Sequence, residues 1–314
     1  MTALLFGVLT LALVGPLPAA LARAEWPLYV PRAAMVLWQS MALAAVLSAF
    51  STGLAVAVHL LGTAPDGSLT FTPAAQLTRL GWFAWSACLL AFLATLVIGV
   101  RLVVTVAAIG VRTRTRRHRH RALIDLLDHA GLRRAAGSDI RILQTQAPMA
   151  YCLPGLRQRV VLSEGVVDRL TIDQLTAVIQ HERAHLRARH DLVLEAFIAL
   201  HAAFPRWVRS ESALAAVRML AEALADDQAV RVTGRTAVGR ALLACADATA
   251  PRGAMAVGGP TTADRIRRLC FLPSAEAVRT LNLTAYTLAA ALLIVPTLAV
   301  ALPWLTELNR LLAP

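Results

Sequence analysis

Four stretches without a charged residue, Thr2 to Ala22, Ala33 to Val58, Leu80 to Val100 and Leu281 to Leu305, dominate this chain. Each is long enough to cross a bilayer as a helix, which takes about 20 apolar residues at 1.5 Å of rise per residue. Hydrocarbon satisfies no backbone hydrogen bond, so such stretches have to fold as helices when they lie in lipid. The rest of the composition agrees: 57% of the 314 residues are hydrophobic and only 16% charged. That balance excludes a disordered or collagenous chain. The four cysteines (Cys88, Cys152, Cys245 and Cys270) stand singly, with no C-x-x-C pair, and read as reduced thiols rather than a disulfide framework or a zinc ribbon.

The first stretch ends in Ala22-Arg23-Ala24, which looks like a signal-peptidase site. No basic residue precedes its apolar run, as a signal peptide requires, so it is expected to be a retained membrane helix.

Arginine supplies every basic side chain, and its distribution predicts orientation, because short cytoplasmic loops hold the excess of positive charge. Arg23 and Arg32 lie between the first two spans. The third is followed by Arg101 and then by Arg112-Thr-Arg-Thr-Arg-Arg-His-Arg-His-Arg121, and Arg265, Arg267, Arg268 and Arg279 precede the fourth. These segments are expected inside the cell, and the loop from Gly62 to Arg79 and the tail after Leu305 outside. The reading is a multi-pass protein of the cell membrane with both termini extracytoplasmic. A net charge of +12 would point to nucleic acid in a soluble protein. Here the basic run abuts a span and lacks interleaved aromatics, so an anchor at lipid headgroups is the expectation, with the bilayer as partner and no direct nucleic-acid contact.

The chain therefore divides into residues 1–111 with three spans (about 2–22, 33–58 and 80–100), a cytoplasmic domain over 112–279, and a fourth span with a short tail over 280–314. Only the middle segment is long enough to bury a soluble core. It is predicted to hold a helix over Ala122 to Ala130, strands at Ile140–Leu143 and Val160–Leu162, and a helix opened by the capping box Thr171-Ile-Asp-Gln174. Leu192 to Phe204 reads as a core or interfacial helix stopped by Pro205, and Ser212 to Val230 as a further helix.

Inside the capped helix lies His181-Glu182-Arg-Ala-His185, an H-E-x-x-H pattern. Two histidines four residues apart are rotated by only ~40° and displaced ~6 Å along a helix, so both rings can reach one ion. Glu182 lies near that face and can move a proton between a metal-activated water and a leaving amine. Glu222-Ala-Leu-Ala-Asp226 follows on another predicted helix, where i and i+4 share a face. Glu222 is the expected third ligand, and Asp226 is expected to orient a ligand histidine through its other ring nitrogen. Two histidines, one glutamate and a water form a catalytic zinc set, with one Zn2+ per chain. Asp191 is a further candidate for orienting a ligand, whereas His190 is expected on the helix surface. Glu195 and His201 read as a buried hydrogen-bonded pair or an outward edge.

These residues resemble the BlaR/MecR-type integral-membrane zinc metallopeptidases, in the short form lacking a penicillin-binding sensor domain, and more distantly the HtpX-like zincins. The resemblance spans nearly the whole chain. It rests on four spans, on His181-Glu-Arg-Ala-His-Leu-Arg-Ala-Arg-His-Asp191, and on Leu220-Ala-Glu-Ala-Leu-Ala-Asp-Asp227. It implies a membrane α-helical fold of four transmembrane helices with an α+β zincin-like metallopeptidase domain between the third and fourth. By the same similarity, Ala147-Pro-Met-Ala-Tyr-Cys-Leu-Pro-Gly155 would carry an edge strand beside the zinc. An extended protein or peptide substrate would pair there along Met149, Ala150, Tyr151 and Cys152. The thiol of Cys152 is otherwise expected to be inert. The resemblance further implies an endopeptidase acting on a cytoplasmic protein such as a BlaI/MecI-type repressor, and an HtpX-like quality-control role or a non-catalytic scaffold are the alternatives. A homo-oligomer stays open.

Two departures qualify the likeness. Only nine residues follow Leu305, so direct beta-lactam sensing by this chain is not expected. HtpX-like enzymes carry His-Pro before an Arg-Ile pair, and here Gly259-Pro260 precedes Arg265-Ile266. Arg265 is the candidate to stabilise the oxyanion of the tetrahedral intermediate.

Overall fold

The computed structural model describes residues 2–312 except 58–59, 61, 64–68, 71–72, 128–138, 156–157, 205–210, 246–254, 257–261 and 272. The expected helix end at Ala130, the stop at Pro205 and the Gly259-Pro260 pair lie outside the described residues.

Among the described residues, four segments are long and apolar enough to cross a membrane: Leu4–Arg23, Pro31–Gly53, Pro73–Ile124 and Ala275–Leu298. The first is two helices, α1 (Thr2–Val14) and α2 (Pro16–Arg23). Pro16 lacks the N–H that would continue α1 and instead starts α2, where its fixed φ suits a first helical position. The second segment lies in α3 (Pro31–Ala57). The third lies in α4 (Pro73–Leu127), which turns at Gly81 (φ 75, ψ 158). Unlike the span expected to end at Val100, α4 runs on through the arginine-rich segment and absorbs the start of the helix expected from Ala122. Arginine is a good helix former and no proline intervenes, so nothing in the chain stops the helix there.

Beyond α4 a four-stranded sheet forms from β1 (Ile140–Leu143), β2 (Ala150–Leu153), β3 (Arg159–Ser163) and β4 (Met255–Ala256), in the order β1-β3-β2-β4. β1 and β3 are parallel, whereas β2 runs antiparallel to both β3 and β4. Among the described residues five helices lie between β3 and β4: α5 (Glu164–Arg169), α6 (Ile172–Ala188), α7 (His190–Ala203), α8 (Glu211–Thr233) and α9 (Arg235–Ala244). A sixth, α10 (Thr262–Cys270), leads to α11 (Ala275–Leu312), which holds the fourth apolar segment. The capping box is present at the start of α6, where Thr171 N donates to Gln174 Oε1 at 3.0 Å.

Alternation along the strands sorts the sheet's two faces. Ile140, Ile142, Ala150, Cys152, Val160 and Leu162 pack with Ala177, Val178 and Leu186 of α6 and with Val238 and Leu242 of α9. On the other face Tyr151, Leu153 and Val161 pack with Ile124 of α4. A second core joins this region to the long apolar helices: Phe197 of α7 and Val217, Leu220 and Ala221 of α8 are buried with Leu13, Ala34, Met35, Trp38, Met41 and Ala44. Residues 112–279 thus share their core with the apolar segments.

Candidate metal centre

α6 presents three site residues from one buried face. His181 and His185, one turn apart, bring their Nε2 atoms to 3.1 Å. α8 crosses α6 and places Glu222 over that pair, with Oε2 3.3 Å from His181 Nε2 and Oε1 3.5 Å from His185 Nε2. One ligand atom from each of the three residues lies within 4.8 Å of the others.

The outward nitrogens of the two rings are also engaged. His181 Nδ1 lies 3.0 Å from Asp226 Oδ1, one turn beyond Glu222 on α8. His185 Nδ1 lies 2.9 Å from His190 Nδ1. With both Nδ1 atoms held, both Nε2 atoms are left to point at Glu222. This is the geometry that carboxylate and ring partners impose on metal-binding histidines.

Arg265 enters from α10. Its Nε and Nη2 donate to Asp226 at 2.8 and 2.6 Å, its Nη1 lies 2.9 Å from Glu222 Oε2, and its Nη2 is 3.5 Å from His181 Nδ1. The guanidinium is buried and set on the two carboxylates, so the structure brings the residue expected at the oxyanion into contact with the third ligand and with Asp226.

Glu182 is fully buried, and its side-chain hydrogen-bond partner is the thiol of Cys152 on β2. Burial raises its pKa to about 7, against the pull of His181. Burial alone would raise Glu222 too, but the charges of His185, His181 and Arg265 and the hydrogen bond from His181 win and hold it at about 2. Asp226 is likewise held below the carboxylate range, where bonds from Arg265 and His181 overcome burial. Burial opposes protonation of His181 as well, yet its bonds to Asp226 and Glu222 lift it to about 9. Burial takes His185 down to about 3. Without an ion, the carboxylates of Glu222 and Asp226 are balanced by Arg265 and by the proton His181 holds, and a bound cation would take that proton's place. Two imidazole nitrogens, one carboxylate and a buried acid beside them form a donor set that fits zinc.

The expected substrate strand is only partly beside this centre. Ala150 and Cys152 face α6, and burial, followed by the charge of Glu182, pushes the Cys152 thiol well above its ordinary value, in keeping with an inert group. Tyr151 points the other way, towards α4, where its hydroxyl lies 3.1 Å from His120 Nε2. Met149 precedes the strand, its N donating to Ser163 Oγ at 2.9 Å. Nor is β2 an open edge: Tyr151 and Cys152 pair with Ala256 and Met255 of β4. A two-residue strand carries no periodic signal, so sequence patterning could not reveal it.

Two residues gain contacts that the sequence did not assign. His190 was expected on the surface and is buried against His185. Arg117, in the basic run, reaches back to α7, with Nη1 3.0 Å from Asp191 Oδ2 and Nη2 2.7 Å from Glu195 Oε1. Asp191 therefore turns to the α4 arginine, and Glu195 is held by the same side chain.

Residues 113–270, which contain every one of these groups, match the model of peptidase family M48. No curated protein and no solved structure matches the chain.

Proposed function

The chain belongs to peptidase family M48, a zinc-dependent family, and from that premise we propose that it is a membrane-embedded zinc endopeptidase. The convergence of His181 Nε2, His185 Nε2 and Glu222 beside the buried Glu182 carries this reading. His181, His185 and Glu222 would hold the ion, which when bound supplies a Lewis acid for the scissile carbonyl and lowers the pKa of a water. Glu182 takes the proton of the attacking water and returns it to the leaving amine nitrogen. A carboxyl near neutrality both accepts and gives that proton readily. Asp226, pinned by Arg265, fixes the ring of His181, and the buried pocket keeps bulk water from competing with the reacting groups.

The proposed substrate is a cytoplasmic protein, a BlaI/MecI-type repressor in a signalling role. The likeness of the two metal-bearing helices to BlaR/MecR-type enzymes supports it, and the arginine distribution supports a catalytic domain on the cytoplasmic side.

The test uses the full-length protein in cells and in detergent. Glu182→Gln should keep zinc and lower cleavage by at least about 100-fold, whereas undiminished cleavage overturns the catalytic assignment. Glu222→Ala should lose zinc, and retention would mean another third ligand. Mapping new N-termini across the proteome then reads the substrate: cleavage confined to one repressor is expected, and ends scattered over many membrane proteins would replace it with quality control.

A further inference from the structure

On a continuous helix a residue five positions on is turned by ~140° and displaced ~7.5 Å, so His190 has no route to His185 by helix periodicity. The chain makes the contact by breaking the helix. Arg189 adopts φ 53, ψ 40, the sole positive φ outside glycine among the described residues, and it separates α6 from α7. Residues other than glycine rarely enter this region, because Cβ crowds the following carbonyl oxygen, and the turn redirects α7 so that His190 folds back over the preceding helix. Its ring meets that of His185 edge-on, with centroids 5.0 Å apart, and it is buried at 4% exposure.

The chemistry of the contact follows from the proton count. His185 Nε2 is the atom in the cluster with His181 and Glu222, and a nitrogen that ligates a cation carries no proton. His185 must then carry its proton on Nδ1, and that proton points at His190 Nδ1, 2.9 Å away. A proton cannot be shared by two donors, so His190 accepts.

We infer that His190 is a positioning residue of the metal centre: it accepts the Nδ1–H of His185, fixes that ring's tautomer and orientation, and so presents Nε2 to the ion. It does for His185 what Asp226 does for His181, one partner supplied by a strained turn and the other by a helix face. The inference rests on the zinc reading proposed above, but the contact itself exists without metal.

Two measurements on full-length, detergent-purified protein separate the two claims. Nitrogen-15 histidine spectra of chelated protein read the tautomer directly. In wild type His185 should be protonated on Nδ1; in His190→Leu it should revert to the Nε2–H form, and in His190→Asn, whose Oδ1 stands where the histidine Nδ1 stood, it should keep Nδ1–H. Zinc affinity, measured by competition with a chromophoric chelator, should fall 10–100-fold in His190→Leu and stay within about threefold of wild type in His190→Asn. Zinc affinity in His190→Leu within about threefold of wild type overturns the inference, because His190 would then do nothing to present His185 Nε2. Equal zinc loss in the Leu and Asn variants also overturns it, because packing alone would then explain the effect. A wild-type protein that shows the Nδ1–H tautomer and binds no zinc upholds the contact and removes the peptidase reading instead.

Discussion

Arg265 grips both carboxylate oxygens of Asp226, with Nε 2.8 Å from Oδ2 and Nη2 2.6 Å from Oδ1, while its Nη1 lies 2.9 Å from Glu222. One buried cation therefore serves two acids on adjacent turns of α8. Removing one partner of a buried charge group leaves the others uncompensated, at a cost of about 3–5 kcal/mol. Arg265→Met should destabilise the chelated protein by about that amount, with partial recovery when zinc is added, because the ion replaces the missing positive charge. Lysine keeps the charge but not the fork, so Arg265→Lys should fall between the two. Thermal unfolding with and without zinc reads both effects; an unfolding temperature for Arg265→Met equal to wild type would show that the clamp is dispensable.

The left-handed Arg189 gives a prediction of opposite sign. Glycine adopts φ 53 without the Cβ clash. Arg189→Gly should preserve the His185–His190 contact and leave stability unchanged or raised by up to about 1 kcal/mol, whereas a β-branched Arg189→Val should cost about 2 kcal/mol or more. Denaturant midpoints decide it, and a valine variant as stable as the glycine one would mean that the turn is not strained.

Metal-free protein should lose stability as pH falls from about 6.5 towards 4. Burial holds His185 at about 3 and His190 at about 4. An unfolded histidine titrates near 6.5. Between those limits the unfolded chain binds protons that the folded chain refuses, so acid favours unfolding. Glu182, raised to about 7 by burial, opposes them: as pH falls from 7 towards 4.5 the folded chain binds a proton there that the unfolded chain refuses, which cancels one of the two histidines and leaves a net loss of about one proton's worth. His181 also runs the other way. Raised to about 9, its contribution is fully present below about 6.5 and is lost only as pH rises through 9, so it is constant across the acid window. The unfolding temperature of chelated protein should drop between pH 7 and pH 5, with a shallower slope in His190→Asn. A flat profile in wild type would contradict the burial of the two rings.

Arg117 ties α4 to α7 through Asp191 and Glu195. Arg117→Met should cost about 3 kcal/mol, because two mostly buried carboxylates lose their partner. Adding Asp191→Asn and Glu195→Gln should restore most of that loss, since the penalty belongs to the stranded charges and not to the missing contact. Additive losses in the triple variant would show that the three side chains act independently.

The candidate metal-site residues were legible because their spacing obeys helix periodicity. His181 and His185, and Glu222 and Asp226, are i, i+4 pairs, and the structure gives each pair one face. The four apolar segments were legible from length and lack of charge alone. His190 was not, because its placement depends on a left-handed residue that is not glycine, and an arginine there gives no sign of a turn. The length of α4 was hidden by the same arginines that predict orientation: they mark a charge boundary but leave the helix intact. The cover over β2 is two residues long, and Arg265 was found through a sequence likeness whose expected partner residue is absent here, so its contacts with Asp226 and Glu222 had to come from the packing of α10 on α8.

The buried seam between α8 and the apolar helices ties the candidate centre mechanically to the segments long enough to cross a membrane. Val217, Leu220 and Ala221 precede Glu222 on the same helix by at most a turn and a half, and Leu13, Met35, Trp38 and Met41 complete their packing. Linkage is reciprocal: a lipid environment that shifts α1 or α3 must change the centre's affinity for its cation, and a bound cation must restrain those helices by the same free energy. Residues 113–270 excised from those apolar helices would lose the packing behind Glu222, and would be a different binding partner for the same ion.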